Sequence, residues 1–261
     1  MVKELNDMGV PIIVACKRLG INRSTYYYCH KDKDKDLKEA ILEIAFRHPT
    51  FGYRRITAIL RNQGFRVNHK RVYRLYRELN LQKSVKRKGY RRKNFYKEPP
   101  IAKYPNHVWS LDIIEDRTED GRKLRILNVI DTYSRYAFVP FIDNSITGKK
   151  AAFYFENLIV KYGAPKVIVR DDGSEFRSKE FGKVVRKYRV EEIVIPPGKP
   201  FKNGYVESFH SRFREELLSA EVFESLEDAR RKIVKWIEWY NFERPHSSLN
   251  YVSPSEVFYA G

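Results

Sequence analysis

The segment H-V-W-S-L-D-I-I-E-D, residues 107–116, places an acid inside an apolar run that has the length of a β-strand. The run over residues 108–114 predicts a buried strand, and Asp112 lies within it. Burying a carboxylate without a partner is costly. Asp112 therefore needs partners from other parts of the chain.

The segments that follow predict an α/β fold. The apolar patterns predict strands at 108–114, 124–131, 136–142, 167–170 and 191–195, with helices at 147–162 and 179–188. Short links join the first three strands, so we expect these strands to be antiparallel neighbours. The order β-β-β-α-β-α-β is the ribonuclease H-like layout, a five-stranded mixed sheet with flanking helices.

A second acid follows the fourth predicted strand. Asp171 stands in V-I-V-R-D-D-G-S-E-F, residues 167–176, where the strand ends in a Gly turn. In the predicted layout the first strand is central, so Asp112 and Asp171 meet at one end of the sheet, a usual place for a site. Asp172 is adjacent, and only one of the two neighbouring acids faces the site if the run is extended.

A third acid lies on a predicted helix. In P-P-G-K-P-F-K-N-G-Y-V-E-S-F-H-S-R-F-R-E-E-L-L, residues 196–218, Asn203 is the expected N-cap of a helix over 204–218. Glu207 then lies about one turn inside the positive helix end. Either it is an ordinary solvated acid, or the three carboxylates form hard oxygen ligands for Mg²⁺, a pair of which can clamp both reacting oxygens of a phosphodiester.

These motifs resemble the DDE transposases and retroviral-type integrases, and most of all the second-reading-frame transposases of bacterial insertion sequences. In that family 35 residues separate the second Asp from the Glu, as they separate Asp171 from Glu207. This spacing favours Asp171 over Asp172. The further matches to the family's motifs are Gly173, Glu175, Phe176, Gly198, Lys199, Pro200, Asn203, Gly204, Tyr205, Ser208, Phe209 and the segment Y-N-x-x-R-P-H-S-S-L at 240–249.

The resemblance implies DNA transposition by metal-dependent cleavage and strand transfer at insertion-sequence ends. Asp112, Asp171 and Glu207 would be both the catalytic and the metal-binding residues, holding two Mg²⁺ ions that Mn²⁺ could replace. The family also has a basic residue seven positions after the Glu, here Arg214, which we expect on the Glu207 face beside the DNA phosphates. Implied partners are double-stranded DNA, further copies of this chain and an upstream-frame DNA-binding protein, in the cytoplasm at the nucleoid.

Charge is distributed unevenly along the chain. The formal net charge is +18, and 26 of the 51 Lys and Arg residues but only 9 of the 33 Asp and Glu residues fall in residues 1–104. A basic front part joined to a nearly neutral remainder is typical of a DNA-binding module attached to a catalytic domain. The alternative is a basic surface that serves only solubility.

Two helix-turn-helix patterns account for much of the basic part. Residues 7–30 predict two short helices, the second over 23–30, and residues 37–47, 53–62 and 69–79 predict three more. The first pattern also fits a helical hairpin without DNA contact. From the second pattern, the residues we expect at DNA are Arg54, Arg55, Lys70, Arg71 and Arg74.

A basic arm with interspersed aromatic residues links the two parts. Lys86, Arg87, Arg91 and Arg92 are expected to follow a DNA backbone, although a nuclear localisation signal would look similar. The predicted division is 1–36 and 37–81 for the helix-turn-helix units, 82–104 for the arm, 105–219 for the catalytic core, and 220–261 for a C-terminal helix and tail packed on it.

Several other functions are disfavoured. No apolar run approaches the roughly 20 residues of a membrane span, and Cys16 and Cys29 lack zinc-ligand spacing. Glu207 and His210 form an E-x-x-H pair as in di-iron bundles, but no second pair exists, so we expect His210 to face DNA or to pack. His107, Arg244 and His246 are expected to be structural. A ribonuclease H-like nuclease that only cuts and a non-catalytic DNA-binding regulator remain as alternatives.

Overall fold

The structure, a computed structural model, describes residues 1–26, 34–82, 100–195 and 203–260. The chain divides into two compact units, Met1–Glu43 and Ile44–Gly261. Within the described ranges, no helix is both long enough and apolar enough to cross a membrane. The predicted second helix at 23–30 is described only over Arg23–Tyr26, and the predicted arm over 83–99 lies outside the described residues.

The first unit contains three short helices and the beginning of a fourth: α1 (Val2–Asp7), α2 (Ile12–Arg18), α3 (Arg23–Tyr26) and α4 (Lys35–Arg47). Val2, Ala15 and Cys16 form a small buried core. Gly20 has a positive φ of 65°, which ends the α2 segment, and Asn22 accepts a hydrogen bond from the backbone N–H of Ser24. The start of α3 at Arg23 matches the predicted start of the second helix.

The second unit begins with a helix pair, α5 (Tyr53–Asn62) and α6 (His69–Glu78). Ile56, Leu60, Val72 and Leu75 are buried along their facing sides. Asn68 caps α6 by accepting a hydrogen bond from the Lys70 N–H. The apolar spacing therefore predicts this helical unit almost to the residue.

A five-stranded mixed sheet follows, as predicted. Its strands are β1 (Val108–Arg117), β2 (Lys123–Asp131), β3 (Phe141–Asp143), β4 (Val167–Asp171) and β5 (Glu191–Ile195), in the order β3-β2-β1-β4-β5. β1 pairs antiparallel with β2 and parallel with β4, so β1 is central.

The third strand is shorter than the predicted 136–142. Only an isolated bridge between Ile130 and Ala137 precedes β3. Pro140 has no N–H to donate to a ladder, which explains why regular pairing begins at Phe141.

Helices cover both faces of the sheet. α7 (Gly148–Tyr162) and α8 (Lys179–Lys187) pack on the face that carries Trp109 and Leu111. α9 (Gly204–Phe213) and α10 (Leu226–Phe242) pack on the opposite face, against Ile114 and Ile126. Side chains alternate along a strand, so Asp112 belongs to the face covered by α9. A final helix, α11 (Pro254–Tyr259), places Phe258 in the first of these cores.

The helix that carries Glu207 is not one regular helix. It is α-helical to Phe213 and continues as a π-helical segment, Arg214–Leu218. Such wider turns occur often at functional sites. The periodicity of the sequence predicts a single regular helix over 204–218, and the structure departs from this prediction at Arg214, where the π-helical segment begins.

Candidate active site

Asp112 and Asp171 lie at corresponding positions on neighbouring parallel strands. Ser110 of β1 is in register with Val169 of β4. Two residues further along each strand are Asp112 and Asp171, the second of which ends β4. Because both acids are two residues beyond a paired position, they share a face of the sheet. The strands thus bring together two acids that are far apart in sequence.

Asn203 connects the helix of Glu207 to the same strand. It occupies the N-cap position of α9, but its side chain makes no capping hydrogen bond, contrary to the prediction. Its Nδ2 instead donates to the Leu111 carbonyl over 3.1 Å, and its Oδ1 accepts from the Ser110 hydroxyl. Asn203 is buried, so these contacts satisfy polar atoms of β1 and hold the start of α9 beside Asp112.

The electrostatics of Asp112 show that the three acids are neighbours. Burial raises the pKa of Asp112 to about 7, and the negative charges of Asp171 and Glu207 also raise it. The backbone N–H of Ile113 donates to Asp112 over 2.8 Å and opposes this rise. Asp172 is not among the charges that act on Asp112; it lies 3.9 Å from the Arg177 guanidinium. The charge pattern therefore favours Asp171 of the adjacent pair.

The acids are close but do not form a ready ligand cage. No group of three His, Cys, Asp or Glu side chains in the described part of the chain is arranged to hold a metal ion. Carboxylates repel one another at short range unless a cation lies between them. The residues nevertheless fit a hard divalent ion, because carboxylate oxygens are its preferred ligands and a cation would stabilise the ionised form of Asp112.

His210 contacts Asp112 directly, which the sequence did not indicate. Its Nδ1 lies 3.4 Å from Asp112 Oδ2, and its Nε2 lies 3.0 Å from Asn128 Nδ2. Burial, and to a smaller extent the charge of Arg214, lowers the pKa of His210 to about 3, so the imidazole is neutral. His210 is buried and does not face DNA. Its spacing of three from Glu207 is the only signal in the sequence.

The residues expected at DNA fall into three groups. Arg54, Lys70, Arg71, Arg74 and Arg214 are exposed. Lys86, Arg87, Arg91 and Arg92 lie outside the described residues. The remaining one, Arg55, is largely buried.

Arg55 is engaged inside the protein, so we remove it from the expected DNA contacts. Its side chain is 15% exposed and its guanidinium lies 3.6 Å from Glu216. Burial, and then the charge of Arg244, lowers its pKa to about 10. Arg54 and Arg55 look alike in sequence, and only the packing of α5 distinguishes them.

The C-terminal motif is structural in its described contacts. Arg244 is 1% exposed and donates two hydrogen bonds to Glu216, of 2.8 and 2.6 Å. His246 lies in a turn, where its backbone pairs with Val252 and its Nδ1 is 3.1 Å from the Ser248 hydroxyl.

His107 accepts a hydrogen bond from the Lys103 N–H and stacks on Tyr104.

Comparison with known proteins gives matches over most of the chain. Models described as "Integrase core domain" match residues 102–200 and 188–254, and an "HTH-like domain" model matches residues 31–89. The fold is similar to that of a chain in the structure of the simian T-cell lymphotropic virus intasome, which was solved in complex with the PP2A regulatory subunit B56 gamma. The TM-score is 0.55 at 16% identity, over 85% of this chain and 75% of that one. That likeness confirms the ribonuclease H-like fold.

Curated relatives come from bacterial insertion sequences. An uncharacterized 31.7 kDa protein of insertion element IS407 from Burkholderia multivorans is 37% identical over 93% of this chain and 88% of its own length. The transposase of IS904 from Lactococcus lactis is 30% identical over 84% of this chain and 92% of its own. The putative transposase InsK of IS150 from Escherichia coli is 27% identical over 98% of this chain and 96% of its own length. The chain therefore belongs to the insertion-sequence transposases with an integrase core domain, a family of DNA transposition and integration.

Proposed function

We propose that this protein cuts DNA at the ends of its insertion sequence and joins the freed ends to target DNA, using Asp112, Asp171 and Glu207. The observation that carries the proposal is the parallel register of β1 and β4, which sets Asp112 and Asp171 side by side on the face covered by the Glu207 helix. Family membership supports polynucleotidyl transfer, and the geometry supports these three residues as its centre.

The carboxylates of Asp112, Asp171 and Glu207 would hold two Mg²⁺ ions, or Mn²⁺ in their place. When bound, such ions act as Lewis acids on the attacking and leaving oxygens of a phosphodiester. Water attacks phosphorus and displaces the 3′-oxygen at the element's end; that 3′-hydroxyl then attacks a target phosphodiester and displaces its 3′-oxygen. The protein forms no covalent bond to DNA in either step. The rigid strands keep two of the acids fixed, and Asn203 orients the helix of the third.

DNA would lie against exposed basic residues on two elements. We propose phosphate or base contacts from Arg54, Lys70, Arg71 and Arg74 on the α5–α6 pair. Arg214 lies one residue beyond α9, close enough for its charge to act on His210, so it can reach a phosphate near the acids. The arm residues Lys86, Arg87, Arg91 and Arg92 stay a prediction.

Several assignments follow from this function as proposals. Two transposon ends must be brought together, so we propose a homo-oligomer on DNA, with an upstream-frame DNA-binding protein as a further partner. We keep the divisions at 36, 81, 104 and 219 as the proposed domain boundaries. The substrate places the protein in the cytoplasm at the nucleoid.

A strand-transfer assay with labelled terminal DNA tests the proposal. In Mg²⁺ the wild-type protein should give both nicked ends and joined products, and chelation should remove both. Asp112→Ala, Asp171→Ala and Glu207→Ala should each lose both products by roughly 10³-fold or more, because metal clamping supplies several kcal/mol of transition-state stabilisation. Gel-shift binding should survive.

Other outcomes would point to other functions. Cleaved but never joined DNA would indicate a nuclease. DNA binding without any metal-dependent product would indicate a regulator. Asp172→Ala is the matched control, and full activity in Asp171→Ala with loss in Asp172→Ala would reverse the assignment within the adjacent pair.

A further inference from the structure

His210 lies between two residues that face each other across the sheet. Asp112 of β1 is paired in register with Asn128 of β2, and both side chains are on the face covered by α9. The His210 ring reaches Asp112 with Nδ1, at 3.4 Å, and Asn128 with Nε2, at 3.0 Å. The helix that carries Glu207 therefore also contacts Asp112, one turn further along.

The hydrogen-bonding groups around the ring select one tautomer. A neutral imidazole has one N–H, and the other nitrogen accepts. Asn128 Nδ2 is a donor, so it pairs with an Nε2 that accepts. The ring proton is then on Nδ1, which faces the Asp112 carboxylate. In this tautomer both contacts of the ring are attractive.

Asn128 lowers the stability of the fold, because it places a polar side chain in an apolar layer. It is 1% exposed, and its Oδ1 has no hydrogen-bond partner within the described part of the chain. A buried unsatisfied acceptor costs on the order of 1–3 kcal/mol. Besides the ring contact, its Nδ2 makes only a long hydrogen bond of 3.4 Å to the Ile126 carbonyl. An apolar side chain would avoid this cost, so packing alone does not account for Asn128.

We propose that His210, with its tautomer fixed by Asn128, is a positioning residue that orients the Asp112 carboxylate for metal binding. The proposal rests on the proposed function of Asp112, Asp171 and Glu207. It also explains why Glu207 and His210 are three residues apart on α9. Glu207 supplies a carboxylate, and the His three residues later holds a second carboxylate on a neighbouring strand. Ligand groups held by such outer partners bind metal more tightly.

Two substitutions with similar amides distinguish the two ring nitrogens. In His210→Asn the amide nitrogen is as far along the side chain as Nδ1, so it keeps an N–H donor facing Asp112. In His210→Gln the amide is one bond longer and is placed as Nε2 is, toward Asn128. We expect His210→Asn to resemble the wild-type protein, and His210→Gln to resemble His210→Ala.

The measured quantity is metal affinity, determined once by direct binding without DNA and once through the metal dependence of strand transfer. Calorimetric titration of the DNA-free full-length protein with Mn²⁺ gives the affinity, and the strand-transfer assay gives the Mg²⁺ concentration for half-maximal rate. His210→Ala and His210→Gln should weaken both by about 10- to 100-fold. Asn128→Leu, which removes the donor and keeps a side chain branched at Cγ, should weaken both in the same direction but less.

Controls separate positioning from folding. His246 is a half-buried imidazole, and it has no contact with the three acids in its described hydrogen bonds. His246→Asn and His246→Gln should leave the metal titrations unchanged. Thermal midpoints for all variants show whether the proteins are folded under the assay conditions.

The possible results divide cleanly. Metal titrations of folded His210→Gln that overlay the wild-type curves would overturn the positioning role, and so would rescue by Gln but not by Asn. If Asp112→Ala binds Mn²⁺ with wild-type affinity and stays active, the proposed function of Asp112 is rejected, and the positioning role of His210 is rejected with it. Loss in Asp112→Ala with no effect at His210 rejects only this inference.

Discussion

Asp112→Asn is expected to have opposite effects on activity and stability. Cleavage and strand transfer should fall by roughly 10³-fold or more, since the variant lacks an anionic oxygen ligand. In the absence of divalent metal, the free energy of unfolding at pH 8 should rise, by up to about 4 kcal/mol.

The gain in stability follows from the raised pKa of Asp112. Burial and the charges of Asp171 and Glu207 shift this pKa from 3.8 to about 7. Between those two pH values the native state holds a proton that the unfolded chain has released, so the stability of the wild-type protein falls as pH rises through this window. Above pH 7 the cost is fully present. Asn carries no charge and avoids it.

Denaturant unfolding in a chelating buffer between pH 5 and pH 8 measures this effect. The wild-type protein should lose stability across the range relative to Asp112→Asn, and the difference between the two should be smallest at pH 5. Asp116→Asn, the same change four residues along β1, is the control and should not reproduce the gain. If Asp112→Asn is less stable than the wild-type protein at pH 8, the result would contradict the conclusion that the ionised Asp112 carboxylate destabilises the fold.

Arg244→Met is expected to give the largest loss of stability. Arg244 and Glu216 are almost completely buried and share two hydrogen bonds, while Arg55 lies 3.6 Å from the same carboxylate. Arg244→Met removes both hydrogen bonds and leaves Glu216 with the longer contact to Arg55, and breaking a buried pair in this way costs about 3–5 kcal/mol. The thermal midpoint should drop by roughly 10 °C.

A double variant tests whether the loss comes from the stranded charge. Arg244→Met combined with Glu216→Met removes both charges of the pair. Part of the stability should return, because an apolar pair can replace a buried ion pair, although Arg55 loses its contact with Glu216. Thermal unfolding of the two single variants and the double variant gives the coupling energy. If the double variant is as unstable as the sum of the single losses, the pair is not coupled as the structure indicates.

The sheet could be predicted because its signals are local. Apolar runs bounded by Gly, Pro and acidic turns identified every strand, and the family resemblance supplied the three acids. The bounds of β5 and α5 agree with the prediction to the residue. The predicted start of the third strand, at residue 136, was wrong because the prediction did not take into account that Pro140 has no N–H to donate.

The contacts around the acids could not be predicted, since they depend on which side chains meet in three dimensions. Asn203 has the residue type of an N-cap, but its amide pairs with β1 because the buried carbonyl of Leu111 needs a donor. Arg55 resembles its exposed neighbour Arg54 in sequence, yet it faces Glu216. The environment of His210 comes from two strands and one helix, and no local pattern encodes it.

The most direct test of the central claim exchanges an oxygen ligand for sulfur. A thiolate suits Mn²⁺ better than Mg²⁺, which prefers hard oxygen ligands. Asp171→Cys should therefore be inactive in Mg²⁺ and regain cleavage and strand transfer in Mn²⁺, whereas Asp172→Cys should be active in both. Full activity of Asp171→Cys in Mg²⁺, or dependence on Mn²⁺ in Asp172→Cys instead, would contradict the assignment of Asp171 as a metal ligand.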